Sequence, residues 1–254
     1  MHSTFFQLGP LRLSSLGVCA AIGMMAALAL SQKTARYARL DPNAVWNAGM
    51  TAVVAAFVIS RALLIAFNWH SFLEYPLLVM ALPSLTATGV LLTGLFLLAY
   101  LRWRRLPLLV FLDAMAPCAA LLWVFVSAGR FVEGTRDGMP WGESGGPPGK
   151  VHPVELYSLA AAAMICIALL RALKVQKRAG RTAGLGFFLA GFALYFIDLF
   201  RLPSELLANA WIEPVQVMAI AMIAAGAALM VRREAKMQRA AEQTAAGSEG
   251  QDAV

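Results

Sequence analysis

The sequence predicts an all-α integral membrane protein of seven transmembrane helices, with the N-terminus outside and the C-terminus in the cytoplasm. Three observations predict it. Seven apolar stretches, 13–32, 44–69, 76–101, 106–129, 154–173, 182–200 and 211–231, run from end to end, each long enough to cross a hydrocarbon core about 30 Å thick at about 1.5 Å per residue. Alternate connections are basic: Lys33, Arg36 and Arg39; Arg102, Arg104 and Arg105; Arg171, Lys174, Lys177, Arg178 and Arg181; Arg232, Arg233, Lys236 and Arg239. These are 15 of the 21 basic residues, while Arg12, Arg130, Arg136, Lys150 and Arg201 fall on the other side and Arg61 inside a span. By the positive-inside rule the richer side is cytoplasmic. Finally, 60% of residues are apolar and the mean hydropathy is +0.68, unlike a soluble domain.

Each element follows from the same physics. Backbone groups in lipid must be satisfied within their own segment, so these runs are helices; barrel strands would alternate with period two, and these do not. Before the first span stand only His2 and Arg12, with no small-residue cleavage pattern, which reads as an uncleaved span. Cys19, Cys118 and Cys166 all fall inside spans without CxxC or Cys/His ligand spacing, so they read as small packing residues. Pro83, Pro117 and Pro214 interrupt spans and free carbonyls. The longest connection, 130–153, is rich in Gly and Pro and faces outside, with Trp141 suited to the headgroup level. The transmembrane domain is expected over 1–234, and the Ala, Glu, Gln and Gly composition of 235–254 predicts a disordered cytoplasmic tail. The net charge of +7 reads as the topology signal, favouring anionic lipid and not nucleic acid. No phosphate-binding glycine loop and no HExxH helix occurs, so no metal or organic cofactor is implied.

Ionisable residues inside a membrane are expensive and are functional candidates by default. Arg61 lies about six residues before the outer end of span two, roughly 9 Å deep. Arg130 ends span four; His152, Glu155 and Tyr157 open span five; Asp198 and Arg201, at i,i+3, end span six; Glu213 and Gln216 open span seven. Separate spans thus bring these groups to one depth near the outer headgroups. Guanidinium forks match phosphate oxygens, carboxylates would hold the forks, and a histidine would take a proton. Taken singly, Arg61 also reads as snorkelling, and Asp198 with Arg201 as an interhelical or local ion pair. Asp113, nearer the cytoplasmic end of span four, is expected in helix packing or a network.

These residues resemble the bacterial prolipoprotein diacylglyceryl transferases over nearly the whole chain. The segments that carry the resemblance are LGPLRLSSLGVCAAIGM, ISRALLIAFNW with FLEYP, LDAMAP at 112–117, GRFVEG and GMPWG, VHPVELY at 151–157, IDLFRLP at 197–203 and EPVQVMAIAMIAAG. The resemblance implies transfer of diacylglyceryl from phosphatidylglycerol to the thiol of a lipobox cysteine in a secreted precursor, at the bacterial inner (plasma) membrane. It assigns catalysis to His152 and Glu155, phospholipid binding to Arg61, Arg130 and Arg201, and support to Asp198, Tyr157 and Gln216.

The chain departs from the family pattern where a His-Gly-Gly segment is expected; Thr86 or Thr88 stands there. Leu194 occupies a family Arg position and Leu16 replaces an aromatic hydroxyl. The loop aligns in two ways, with Arg130 either on the family arginine or, with Ser127 there instead, on an Asn position. These departures leave open a catalytically lapsed relative that binds anionic phospholipid or precursor. An unrelated transporter or sensor would need a polar path across the membrane or a Lys in the last span, and that span has none.

Overall fold

The computed structural model describes residues 4–8, 11–69, 87–134, 138–140, 151–175, 178–202 and 214–249. Among the described residues, an antiparallel hairpin of β1 (Thr4–Leu8) and β2 (Leu11–Ser14) precedes seven helices. They are α1 (Ser15–Tyr37), α2 (Pro42–Phe67), α3 (Ala87–Trp103), α4 (Leu108–Glu133), α5 (Val154–Val175), α6 (Arg181–Asp198) and α7 (Pro214–Glu249). Five of them (α1, α2, α4, α5 and the Pro214–Val231 part of α7) are long and apolar enough to cross a membrane, and Thr88–Trp103 is a shorter apolar helix. The chain is a multi-pass membrane protein.

The all-helical expectation holds for the membrane domain; the sequence does not anticipate the short hairpin before it, whose strands of five and four residues are too short for periodicity to stand out beside an apolar span. Pro214 also differs from expectation. It begins α7 instead of interrupting a span, a position where its missing N–H costs nothing. Pro117 does lie inside α4, and the Cys166 thiol donates to its carbonyl at 3.5 Å. Helix α7 runs through Glu249, past residue 235 where the sequence reading places the start of the tail; Ala, Glu, Gln and Lys are all good helix formers. The expectations for Pro83, Thr86, Trp141 and Glu213 lie outside the described residues.

Helix α4 is the hub, packing on α1, α5 and α6, while α6 lies along α7 and α2 joins α1 to α3. Small residues permit the closest approach. A Cβ on Gly226 would stand 2.6 Å from the Gly184 carbonyl, so α6 and α7 meet backbone to backbone.

Two helix ends share one device. After α1, Leu40 N–H donates to the Ala35 carbonyl, and after α3, Leu106 N–H donates to the Leu101 carbonyl, the bond that marks a Schellman C-terminus. Arg39 (φ 58) and Arg105 (φ 54) take the left-handed position that glycine usually fills. Leu40 and Leu106 then pack on one cluster with Ala35, Leu101 and Phe111, tying both turns to the same core.

At the α5–α6 connection, Asp113 of α4, only 4% exposed, accepts from the backbone N–H groups of Gly180 and of Ala183, the latter at 2.7 Å. It caps the first turn of α6 from a neighbouring helix, the interhelical role expected of it. The cysteines also pack as expected. Cys118 and Cys166 are buried, and Cys118 lies 3.6 Å from the Thr34 hydroxyl.

Candidate functional site

The site is built where α4 ends, α5 begins and α6 has just ended. Gly134, at φ 74, closes α4 in a left-handed cap, leaving Arg130 in its last turn. Glu133, also in that turn, accepts from the Leu16 N–H at 3.1 Å and so ties α1 to the same end. Glu155 enters from the first turn of α5 and is 5% exposed.

Three short chain segments then cross. Gly138 bridges Arg201 and Pro140 bridges Val151, both antiparallel. Met139 N–H donates to the Phe200 carbonyl at 2.9 Å, and His152 N–H donates to the Met139 carbonyl at 3.0 Å. Residues 138–140 are therefore stitched between the exit from α6 and the entrance to α5. Glycine is required at 138: an added Cβ would stand 2.0 Å from the His152 carbonyl oxygen.

This crossing sets the position of Arg201, and the ion pairs follow. Oε1 of Glu155 accepts from Arg130 Nη1 at 3.4 Å and from Arg201 Nη2 at 3.2 Å. The carboxylate side chain is 6% exposed, whereas the arginines are 42% and 25% exposed. A buried anion thus holds two guanidiniums that still reach the surface. Guanidinium forks have the geometry to match the oxygens of an anion.

Beside them, His152 Nδ1 lies 3.4 Å from the Tyr157 hydroxyl. The His152 ring is 5.2 Å from the Phe200 ring, and Tyr157 is 6.0 Å from it. Tyr157 and Phe200 together pack about the imidazole. The sequence reading missed Phe200 and Gly138 as site builders. Their signal was present in IDLFRLP and GMPWG, but nothing local said that these two segments cross.

The other expected site residues are arranged differently. Asp198 does not pair with Arg201. Helix α6 ends at Asp198; a final turn brings the Arg201 N–H to the Asp198 carbonyl at 3.0 Å, while the Arg201 guanidinium reaches Glu155. Asp198 is 5% exposed, and neither of its carboxylate oxygens has a hydrogen-bond partner among the described residues. Arg61 stands apart on α2 with its guanidinium 5.3 Å from the Phe57 ring centre; its Nε and one Nη are buried and unpartnered among the described residues. It is not joined to the Glu155 group. Gln216 is half-buried in the first turn of α7 and makes no hydrogen bond among the described residues. No group of three His, Cys, Asp or Glu suited to a metal occurs among the described residues.

A cavity of about 300 Å³ lies deeper, between α4, α5, α6 and α7. Trp123, Leu169, Phe187, Leu194 and Met222 help to line it. Trp123 precedes Arg130 by seven residues, about 10 Å along α4.

The sequence model of the prolipoprotein diacylglyceryl transferase family matches residues 3–232. The chain belongs to this family. Among relatives named phosphatidylglycerol–prolipoprotein diacylglyceryl transferase, that of Parasynechococcus marenigrum (strain WH8102) is 30% identical over 138 residues, 53% of this chain and 50% of the relative. That of Synechococcus elongatus is 27% identical over 145 residues, 54% and 50% of the two chains. That of Rhizobium meliloti (strain 1021) is 27% identical over 206 residues, 74% and 72%. The chain spans about half the length of the first two relatives.

Proposed function

We propose that this member of the diacylglyceryl transferase family transfers diacylglyceryl from phosphatidylglycerol to a lipobox cysteine of a precursor protein. The observation that carries the reading is the buried Glu155 carboxylate with Arg130 and Arg201 both on one oxygen. Arginine forks suit a phosphodiester headgroup. The apolar cavity bounded by Trp123 and Leu194 offers room for part of an acyl chain below it.

The chemistry is displacement at the glycerol carbon that bears the phosphate ester. The cysteine thiol gives its proton to His152, and the sulfur forms a bond to that carbon. The carbon–oxygen bond breaks and its electron pair leaves on the phosphate ester oxygen as glycerol phosphate. Arg130 and Arg201 stabilise the charge that develops there. Tyr157 and Phe200 orient His152. Glu155 is a positioning residue and not the base, because its charge is committed to two guanidiniums. Asp198 places a buried carboxyl group close in sequence to Arg201, and Gln216 and Arg61 are assigned to the lipid headgroup as contributions from α7 and α2.

The alternation of basic connections supports an N-terminus outside, a C-terminus in the cytoplasm and seven crossings, with Ala87–Trp103 and Arg181–Asp198 completing the set. The bacterial inner membrane, facing secreted precursors, is the compartment that fits. No cofactor is invoked; the lipid is itself a substrate.

A second reading has one observation in its favour. Leu194, at a position where the family pattern carries an arginine, lines the apolar cavity. A lapsed enzyme that only binds anionic phospholipid or precursor would need no third cation there.

Purified protein in phosphatidylglycerol vesicles, given a lipobox peptide, separates the two by mass spectrometry. A diacylglyceryl mass gain on the cysteine is expected. Folded protein with no gain beside an active control enzyme would support the binding-only relative.

A further inference from the structure

A second polar pocket, of about 260 Å³, lies at the other end of α4. Its side chains include Tyr37, Arg39, Asp113, Lys174, Arg178 and Thr182. Asp113 and Arg130 are seventeen residues apart on α4, roughly 25 Å along the axis, so this pocket is separate from the Glu155 group.

Three cations converge on it from three chain segments. Arg39 comes from the turn after α1, Lys174 from the last turn of α5 and Arg178 from the α5–α6 connection. Among the described lining residues Asp113 is the one acid, and their net charge is +2. That carboxylate already accepts from Gly180 and Ala183 N–H, so the end of α6 is capped from within and the pocket's receptor groups are side chains. Lys174 Nζ lies 5.5 Å from the centre of the Tyr37 ring, a cation–π contact that joins the α5 and α1 walls. Arg39 is held at φ 58, where glycine would sit without strain. The Schellman turn that ends α1 fixes that backbone conformation and sets Arg39 at the edge of the positive cavity.

Basic residues placed only to set topology would serve equally well spread over the surface. These enclose a concave space, somewhat smaller than the roughly 300–1,000 Å³ typical of organic-ligand pockets. We infer that Arg39, Lys174 and Arg178 form a binding site for a phosphate group, distinct from the transferase site and at the opposite end of α4. Guanidinium forks and an ammonium match the oxygens of a phosphate monoester. The source is either an anionic lipid headgroup or free phosphate.

The test uses the full-length protein in phosphatidylcholine nanodiscs, alone or doped with phosphatidic acid. Native mass spectrometry counts retained phosphatidic acid, and phosphorus NMR titrates inorganic phosphate against undoped discs. The Lys174→Gln/Arg178→Gln double variant is expected to weaken binding by about 30-fold, from about 1 kcal/mol per basic residue. Arg105→Gln, a cation outside the pocket lining, is the single-charge control and should bind as wild type. Loss confined to the lipid arm assigns a headgroup; loss in the phosphate arm assigns a free anion. Either supports the site. Wild-type binding by the double variant in both arms overturns it, as does an equal loss in Arg105→Gln. Should the double variant unfold, Arg39→Gln alone gives the reading: about a fivefold loss supports the site and unchanged binding overturns it.

Discussion

Helix α4 carries a buried carboxylate near one end and an arginine that meets a buried carboxylate near the other, and the two acids are used differently. Asp113 accepts from two backbone N–H groups, which are fixed when α6 forms. Glu155 accepts from two guanidiniums on partly exposed side chains. The first arrangement closes the fold, because both donors have no other role. The second presents cations, because each guanidinium has five N–H donors and spends only part of them on Glu155. A buried acid in a membrane bundle is therefore not diagnostic by itself; what it holds decides its use.

The sharpest way to break this comparison is Glu155→Gln. It removes the charge that positions Arg130 and Arg201, and diacylglyceryl transfer is expected to fall about 100-fold or more, on the order of 3 kcal/mol of transition-state stabilisation. The vesicle assay with lipobox peptide measures it, and transfer within a few-fold of wild type would remove Glu155 from the site.

Asp113→Ala should act on stability instead. It leaves the Gly180 and Ala183 N–H groups buried without their acceptor, for a loss of about 2–3 kcal/mol. Unfolding in detergent micelles reads this as a lower midpoint. Equal stability losses from Asp113→Ala and Glu155→Gln would erase the distinction between the two acids.

Gly138→Ala tests whether the crossing strands hold the arginine pair. The new Cβ would meet the His152 carbonyl at 2.0 Å, so the segments must part, at a cost of about 2 kcal/mol. Transfer should drop at least tenfold as Arg201 moves from Glu155; retained activity would show that the crossing is dispensable.

The smallest effect is expected at Arg105→Gly. Relief of the left-handed strain at φ 54 should stabilise the protein by about 1 kcal/mol, read from the same unfolding midpoint. A loss of stability would mean that the arginine side chain contributes more to the turn than its backbone costs.

Much of this layout was legible in the chain. The apolar run at 106–129 became Leu108–Glu133, and 154–173 became Val154–Val175, so Arg130 and Glu155 were placed near helix ends before any packing was known. Their meeting was an expectation from depth alone. The pairing was not legible. Asp198 and Arg201 share a face on any helical wheel, but the wheel does not know that α6 stops at Asp198. Nor did sequence distinguish Arg61, which shares the composition of a site residue and packs over Phe57 on a helix away from the others. The β1–β2 hairpin escaped because its strands are shorter than a reliable periodic window.

By itself, then, the sequence determined where helices form and which polar groups lie near their ends. A long apolar run has only one way to satisfy its backbone in lipid, whatever its neighbours do. Only the tertiary structure decided that Glu155 gathers Arg130 and Arg201 while Asp113 caps α6. Those choices depend on where separate helices end and on a Gly138 crossing with no room for a Cβ, and distances across the bundle are not encoded in any one segment.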